Sequence, residues 1–131
     1  MITEDYVSFE TAKLLKEKGF DEKCMSYYGH GEFHLGNREY MKSNTDRDGV
    51  AFNGVPYDAY NAPTLQMAMK WLREVYGISI EPFVDYGVGD ESWWSVHVDK
   101  IKNGIIDSLT AYVSYEQACE AAIKYCLENL I

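Results

Sequence analysis

The chain has 131 residues, 47% hydrophobic and 25% charged. That is the length of one domain, 1–131, with enough apolar residues to build a core without disulfides or a structural metal, and it excludes a disordered tail. Lys and Arg number 12 against 21 Asp and Glu, a net charge of −9, which excludes a direct grip on nucleic acid or on an anionic membrane surface.

No apolar run approaches the ~18 residues of a membrane span. The first residues, Met-Ile-Thr-Glu-Asp-Tyr, are acidic and read as no signal peptide. Cys119 and Cys126 are seven apart, about 10 Å along a helix and too far to bridge. With Cys24 they predict three reduced thiols, small buried hydrophobes of a cytoplasmic protein.

In chain order, Ser8 is a good N-cap for a first helix over 9–19, and Gly19 stops it. Residues 23–42 predict a hairpin, with Cys24 to Tyr28 as one strand and Glu32 to Leu35 as the other. Gly29-His30-Gly31 forms its turn. Residues 43–61 are polar, with Gly49, Gly54 and Pro56, and read as a long loop. It either packs through Val50, Phe52, Val55, Tyr57 and Tyr60 or is mobile.

A second helix over 64–77 follows from the stripe Leu65, Ala68, Met69, Leu72, Val75 and Tyr76. Ile78 to Glu81 predicts a strand in which Pro82 marks an edge or a bulge. Trp93 to Ile101 alternates, with Trp94, Val96 and Val98 on one face. Trp93, Ser95, His97 and Asp99 lie on the other. Asn103-Gly104, two residues that tolerate positive φ, predicts a hairpin turn, and Ile105 to Tyr112 a further strand. Ser114 and Gln117 form a capping box for a last helix over 115–129. The order α-β-β-α-β-β-β-α predicts an α+β fold, a mainly antiparallel sheet covered by helices.

Three stretches carry a resemblance: Tyr6-Val7-Ser8-Phe9-Glu10-Thr11-Ala12-Lys13-Leu14-Leu15-Lys16-Glu17-Lys18-Gly19-Phe20, Ala62-Pro63-Thr64-Leu65-Gln66-Met67-Ala68-Met69-Lys70-Trp71-Leu72-Arg73-Glu74-Val75, and Tyr115 to Ile131. They resemble a group of small, acidic, uncharacterised proteins of intestinal anaerobic bacteria and their bacteriophages. The likeness covers the three helices, a little under half of the chain. It implies a cytoplasmic, phage-related protein and supplies no residue roles.

Few constellations suggest chemistry. His30, Glu32 and His34 alternate as zinc or iron ligands would, but Gly29 and Gly31 break the strand there. Asn44, Asp46 and Asp48 precede Gly49 as in the first half of a calcium loop, but Val55 stands where its bidentate Glu belongs. Asx turns explain the same residues. Asp85, Asp90 and Glu91 surround the Gly87–Gly89 turn. There is no Walker loop, no dinucleotide fingerprint and no nucleophile elbow. The expectation is therefore no cofactor and no metal.

The surplus is aromatic: 11 Tyr, 5 Phe and 3 Trp. Adjacent pairs, Tyr27-Tyr28 and Trp93-Trp94, point to opposite faces of a strand, so one member of each escapes a single core. Tyr27, Tyr28, Trp93, Trp94 and His97 are the candidate binding residues. The favoured function is a cytoplasmic protein-interaction or accessory protein, a homo-oligomer or the partner of another protein, and not an enzyme. Mimicry of nucleic acid toward a DNA-binding protein is a special case. The competing reading is a small enzyme or sugar-binding protein with a cleft near Trp93, His97 and Asp85–Glu91.

Overall fold

A computed structural model describes residues 2–48, 51–52, 55–56 and 58–131, without the side chains of 51–52 and 55–56. Its contacts divide the chain into two compact units, Met1–Thr64 and Leu65–Ile131. The fold is α+β, and all strand pairing among the described residues is antiparallel.

In the first unit α1 spans Phe9–Glu17, capped by Ser8, whose hydroxyl accepts from the Thr11 N–H at 3.3 Å. β1 (Ser26–Gly29) and β2 (Glu32–Leu35) form the expected hairpin. Its turn is His30-Gly31, both at positive φ, 51° and 78°, the type I′ pair that matches strand twist. The strand begins two residues later than expected, because Cys24 pairs with Lys42 in an isolated bridge instead.

The expected loop over 43–61 contains ordered elements. Ser43 caps a one-turn helix α2 (Asn44–Arg47) by accepting from the Asp46 N–H. A short pair β3 (Ala51–Phe52) and β4 (Val55–Pro56) follows. Then β5 (Ala59–Asn61) joins β1 and completes a β2-β1-β5 sheet. Val50, Tyr57 and the side chains of Phe52 and Val55 lie outside the described residues. Tyr60 does pack, its ring 5.8 Å from Phe9.

The second unit is more regular. Helix α3 (Leu65–Tyr76) precedes the nine-residue strands β6 (Ile78–Tyr86), β7 (Ser92–Lys100) and β8 (Gly104–Tyr112). Helix α4 (Tyr115–Asn129) closes the chain. The sheet order is β6-β7-β8, so Pro82 does lie in an edge strand, where its missing N–H is tolerated.

The β7–β8 connection corrects the expected two-residue turn. Lys100 pairs with Gly104 across three loop residues, and the Asn103 N–H bonds to the Lys100 carbonyl at 2.9 Å. Only Gly104 takes positive φ, 80°, the longer hairpin that ends in a glycine bulge. Ser114 caps α4 by accepting from the Gln117 N–H. Gln117 reaches back to the Val113 N–H, one residue before the cap.

Candidate functional site

The strand periodicity of the second unit sorts its residues into two unlike faces. Ile78, Ile80, Val96 and Val98 are buried. They lie on the side where α3 and α4 pack, with Ala118, Cys119, Ala122, Ile123 and Cys126 of α4 opposite them. Trp94 is on this face and meets Tyr115 edge-on at 5.4 Å. The helices α3 and α4 contact each other as well as this sheet, which puts both on one side. On the opposite side, left uncovered by them, Ser95 is buried and Phe83, Trp93 and His97 are half-buried.

That uncovered face carries Ser79, Glu81, Phe83 and Asp85 from β6, and Trp93, Ser95, His97 and Asp99 from β7. β8 adds Ser108 and Thr110. Phe83 stacks on His97 with centroids 4.5 Å apart, and His97 Nδ1 lies 2.8 Å from Ser108 Oγ. Trp93 Nε1 donates to Thr110 Oγ1 at 3.0 Å. Thr110 and Ser95 share a hydrogen bond of 2.8 Å, and Ser95 extends toward Asp85 at 3.5 Å.

A β-bulge makes this arrangement possible. Trp94 pairs with Tyr112 and Val96 with Leu109, so three steps along β8 match two along β7. The extra length puts Ala111 at φ 71°, a left-handed conformation disfavoured for a residue with a Cβ. Bulges re-aim side chains. Here Thr110 meets both Ser95 and the Trp93 indole.

The indole is held at its other edge as well. A Cβ on Gly87 would come 2.8 Å from Trp93 Cζ3 and 2.9 Å from Glu91 Oε2. A side chain there would make the indole edge and the Glu91 carboxylate shift. The Gly87 N–H also bonds to the Glu91 carbonyl at 3.0 Å, which closes the turn.

Carboxylates give the face its charge. Asp99, hydrogen-bonded to Glu81 and repelling its charge, pushes the Glu81 carboxyl above the usual carboxylate range. Asp99 Oδ1 is buried without a hydrogen-bond partner among the described residues.

The sequence candidates separate. Trp93 and His97 share the uncovered face, four residues and about 13 Å apart along β7. Trp94 does not join them. Tyr28 packs in the first unit against Phe9 and Phe33, at 5.6 and 5.5 Å, and its hydroxyl donates to the Val7 carbonyl at 2.7 Å. Tyr27 is stacked on His34 at 5.0 Å, with the Arg47 guanidinium 4.2 Å from its ring centroid. Each tyrosine of that pair thus finds a packing partner on its own face of the sheet. A cavity of about 460 Å³ is lined by Tyr76, Gly77 and Lys100 to Asn103. It lies at the end of the sheet away from Trp93 and Asp85.

The metal candidates have other partners. His30 sits in the turn, while His34 stacks on Tyr27. Asn44 is buried, donates to the Phe20 carbonyl and accepts from the Asn61 N–H, both at 2.7 Å. Asp48 pairs with Lys16 at 2.5 Å. Among the described residues, no three His, Cys, Asp or Glu side chains form a metal-holding group. Burial pushes the Cys24 and Cys119 thiols up to about 11 and Cys126 up to about 12. All three are free and buried, and as thiols they are poor nucleophiles.

Sequence reasoning did not single out Phe83, Glu81, Ser108 or Thr110. Their alternation in β6 and β8 was a signal, but it became specific only once the register to β7 was known. Among the described residues, no helix is long and apolar enough to cross a membrane. Compared with family models, curated proteins and solved structures, the chain matches none.

Proposed function

We propose that the chain is a protein-binding module, not an enzyme, and that it receives a basic segment of another protein on the uncovered face of the β6-β7-β8 sheet. The observation that carries this reading is the asymmetry of that sheet. Two helices cover one face, while the other presents Trp93, Phe83 and His97 among carboxylates and hydroxyls. Half-buried aromatics with hydrogen-bonding groups are what protein interfaces use.

Charge complementarity selects a basic partner. From Leu65 to Ile131 there are 10 Asp and Glu against 5 Lys and Arg, and acidic surfaces steer cationic ones toward them. Three buried, unbridged thiols support a cytoplasmic setting. The phage-related descent that the helix sequences suggest belongs to the same proposal.

The test is capture followed by a defined measurement. The wild-type protein is used to isolate a partner, which is then purified and titrated by calorimetry. Phe83→Ser and Glu81→Gln on the uncovered face are expected to weaken binding at least about tenfold. Glu128→Gln, at an exposed position of α4, is expected to leave it unchanged. Undiminished binding by both face variants would overturn the proposal. So would a neutral oligosaccharide that quenches Trp93 at micromolar concentration while no protein binds.

A further inference from the structure

Trp93 is an aromatic group of the uncovered face that is held at two of its edges. Its Nε1 is tied to Thr110 on β8, and its Cζ3 edge borders the space at Gly87 beyond the end of β6. The indole therefore has little rotamer freedom left to lose on binding, which is the condition for an anchoring platform.

Carboxylates surround it. Asp85 is the cross-strand partner of Trp93, a position with Cβ atoms about 5 Å apart. Glu91 Oε2 borders the same space at Gly87 as the indole edge. From Glu74 to Asp99 the chain has six carboxylates, Glu74, Glu81, Asp85, Asp90, Glu91 and Asp99, and no Lys or Arg. Lys16–Asp48 and Lys70–Glu74 are ion pairs among the described residues. Asp85 and Glu91 belong to neither.

We infer that Trp93, Asp85 and Glu91 anchor the partner by one arginine side chain, its guanidinium stacked on the indole and hydrogen-bonded to the two carboxylates. The inference rests on the docking reading above and specifies its chemistry. A planar guanidinium can stack on an aromatic face and donate in its own plane to carboxylates at the same time. A lysine ammonium is a compact, strongly hydrated point charge and gains less from the indole. A metal ion would need further oxygen ligands, and Thr110 and Ser95 are turned toward each other and toward Trp93 and Asp85.

The chain has three tryptophans, so its indole N–H resonances report the site directly. The full-length protein is titrated with a tetra-arginine peptide, a tetra-lysine peptide and a tetra-citrulline peptide. The Trp93 resonance is expected to move most with arginine, with the Trp71 and Trp94 resonances fixed. Citrulline, planar but uncharged, is expected to bind at least about tenfold more weakly. Asp85→Asn and Glu91→Gln should each reduce the arginine affinity several-fold, as should raised salt.

Equal binding of arginine and citrulline peptides, or of arginine and lysine peptides, would overturn the arginine anchor. If resonances of Phe83 and His97 still moved, the docking face would stand without it. If no peptide moved any resonance of the face, and a purified partner ignored the face variants, both readings would fall. Asp85→Asn retains the oxygen that accepts from the Tyr86 N–H, and Glu91 is exposed. Neither variant depends on repacking a core.

Discussion

The two units are held together by different means. Among the described residues, the buried polar side chains of the first are Thr11, Ser26, Ser43, Asn44, Arg47 and Asn61, whereas the second buries only Ser95. Asn61 is the centre of the first set. Its Nδ2 donates to the Glu22 carbonyl at 3.0 Å and the Lys42 carbonyl at 2.7 Å, and its Oδ1 accepts from Arg47 Nε. Arg47 continues to the Cys24 carbonyl at 2.9 Å. The difference follows from element length. Strands of two to four residues and a four-residue helix leave backbone groups that no ladder satisfies, so side chains must meet them. Nine-residue strands and helices of 12 and 15 residues satisfy their own backbones, so their core can be aliphatic.

The sharpest way to break this comparison is Asn61→Ala. It removes the acceptor of the Arg47 Nε–H in a buried site, a loss of about 1–3 kcal/mol. It also takes one donor each from the Glu22 and Lys42 carbonyls, which keep the Cys24 thiol and N–H; we expect a total of about 4 kcal/mol. Denaturant titration with amide exchange is the measurement. Protection should fall across residues 20–61 and persist in β6 and β7. If Asn61→Ala costs under about 1 kcal/mol, the polar network is not what holds the first unit.

The counterpart in the second unit is Leu72→Ala. Leu72 is fully buried on the packing face of α3, and its truncation should cost about 3 kcal/mol through lost burial and a cavity. Protection should then fall in α3 and β6 first. A smaller loss than that of a surface substitution would mean that the apolar core is not tightly packed.

A gain should come from the bulge. Ala111→Gly removes the left-handed strain, about 1–2 kcal/mol, and adds chain entropy of about 0.5–1 kcal/mol to the unfolded state. A net stabilisation of about 0.5–1 kcal/mol is expected, read as a higher urea midpoint at unchanged slope. A lower midpoint would contradict a strained alanine at this position.

The smallest effects concern pH, and they have opposite signs in the two units. The Thr45 N–H and hydroxyl hold the Asp21 carboxyl below its usual range. Its contribution is present above the ordinary carboxylate pKa and is lost as pH falls through the lowered one. Glu81 is raised by Asp99, so its contribution is present below the ordinary pKa and is lost as pH rises through the raised one. Melting temperatures of Asp21→Asn and Glu81→Gln, followed against the wild type from about pH 3 to pH 7, should show this. Asp21→Asn should lose ground toward neutral pH, while Glu81→Gln should gain it. Parallel curves for both would dismiss the two electrostatic assignments.

Much of the architecture was legible from local signals. Ser8 and Ser114 cap their helices because a hydroxyl reaches an N–H three residues on, whatever lies elsewhere in the chain. The Leu65–Tyr76 stripe and the β7 alternation are likewise local periodicities. The long polar stretch 43–61 misled for the same reason. Asn44, Arg47 and Asn61 resemble loop residues in sequence, and only their distant partners, Phe20, Glu22, Cys24 and Lys42, turn them into a buried network. The Asn103-Gly104 turn differed because strand register across three residues, not the dipeptide, set the hairpin.

At the candidate site, sequence determined that Trp93 and Trp94 face opposite ways, since the period of a strand leaves no alternative. It did not determine which of them a helix would cover, nor that Ala111 would bulge and bring Thr110 to the Trp93 indole. Those depend on the packing of α4 and on the pairing of β8. Such choices are made by contacts between residues far apart in the chain, where local preference has no vote.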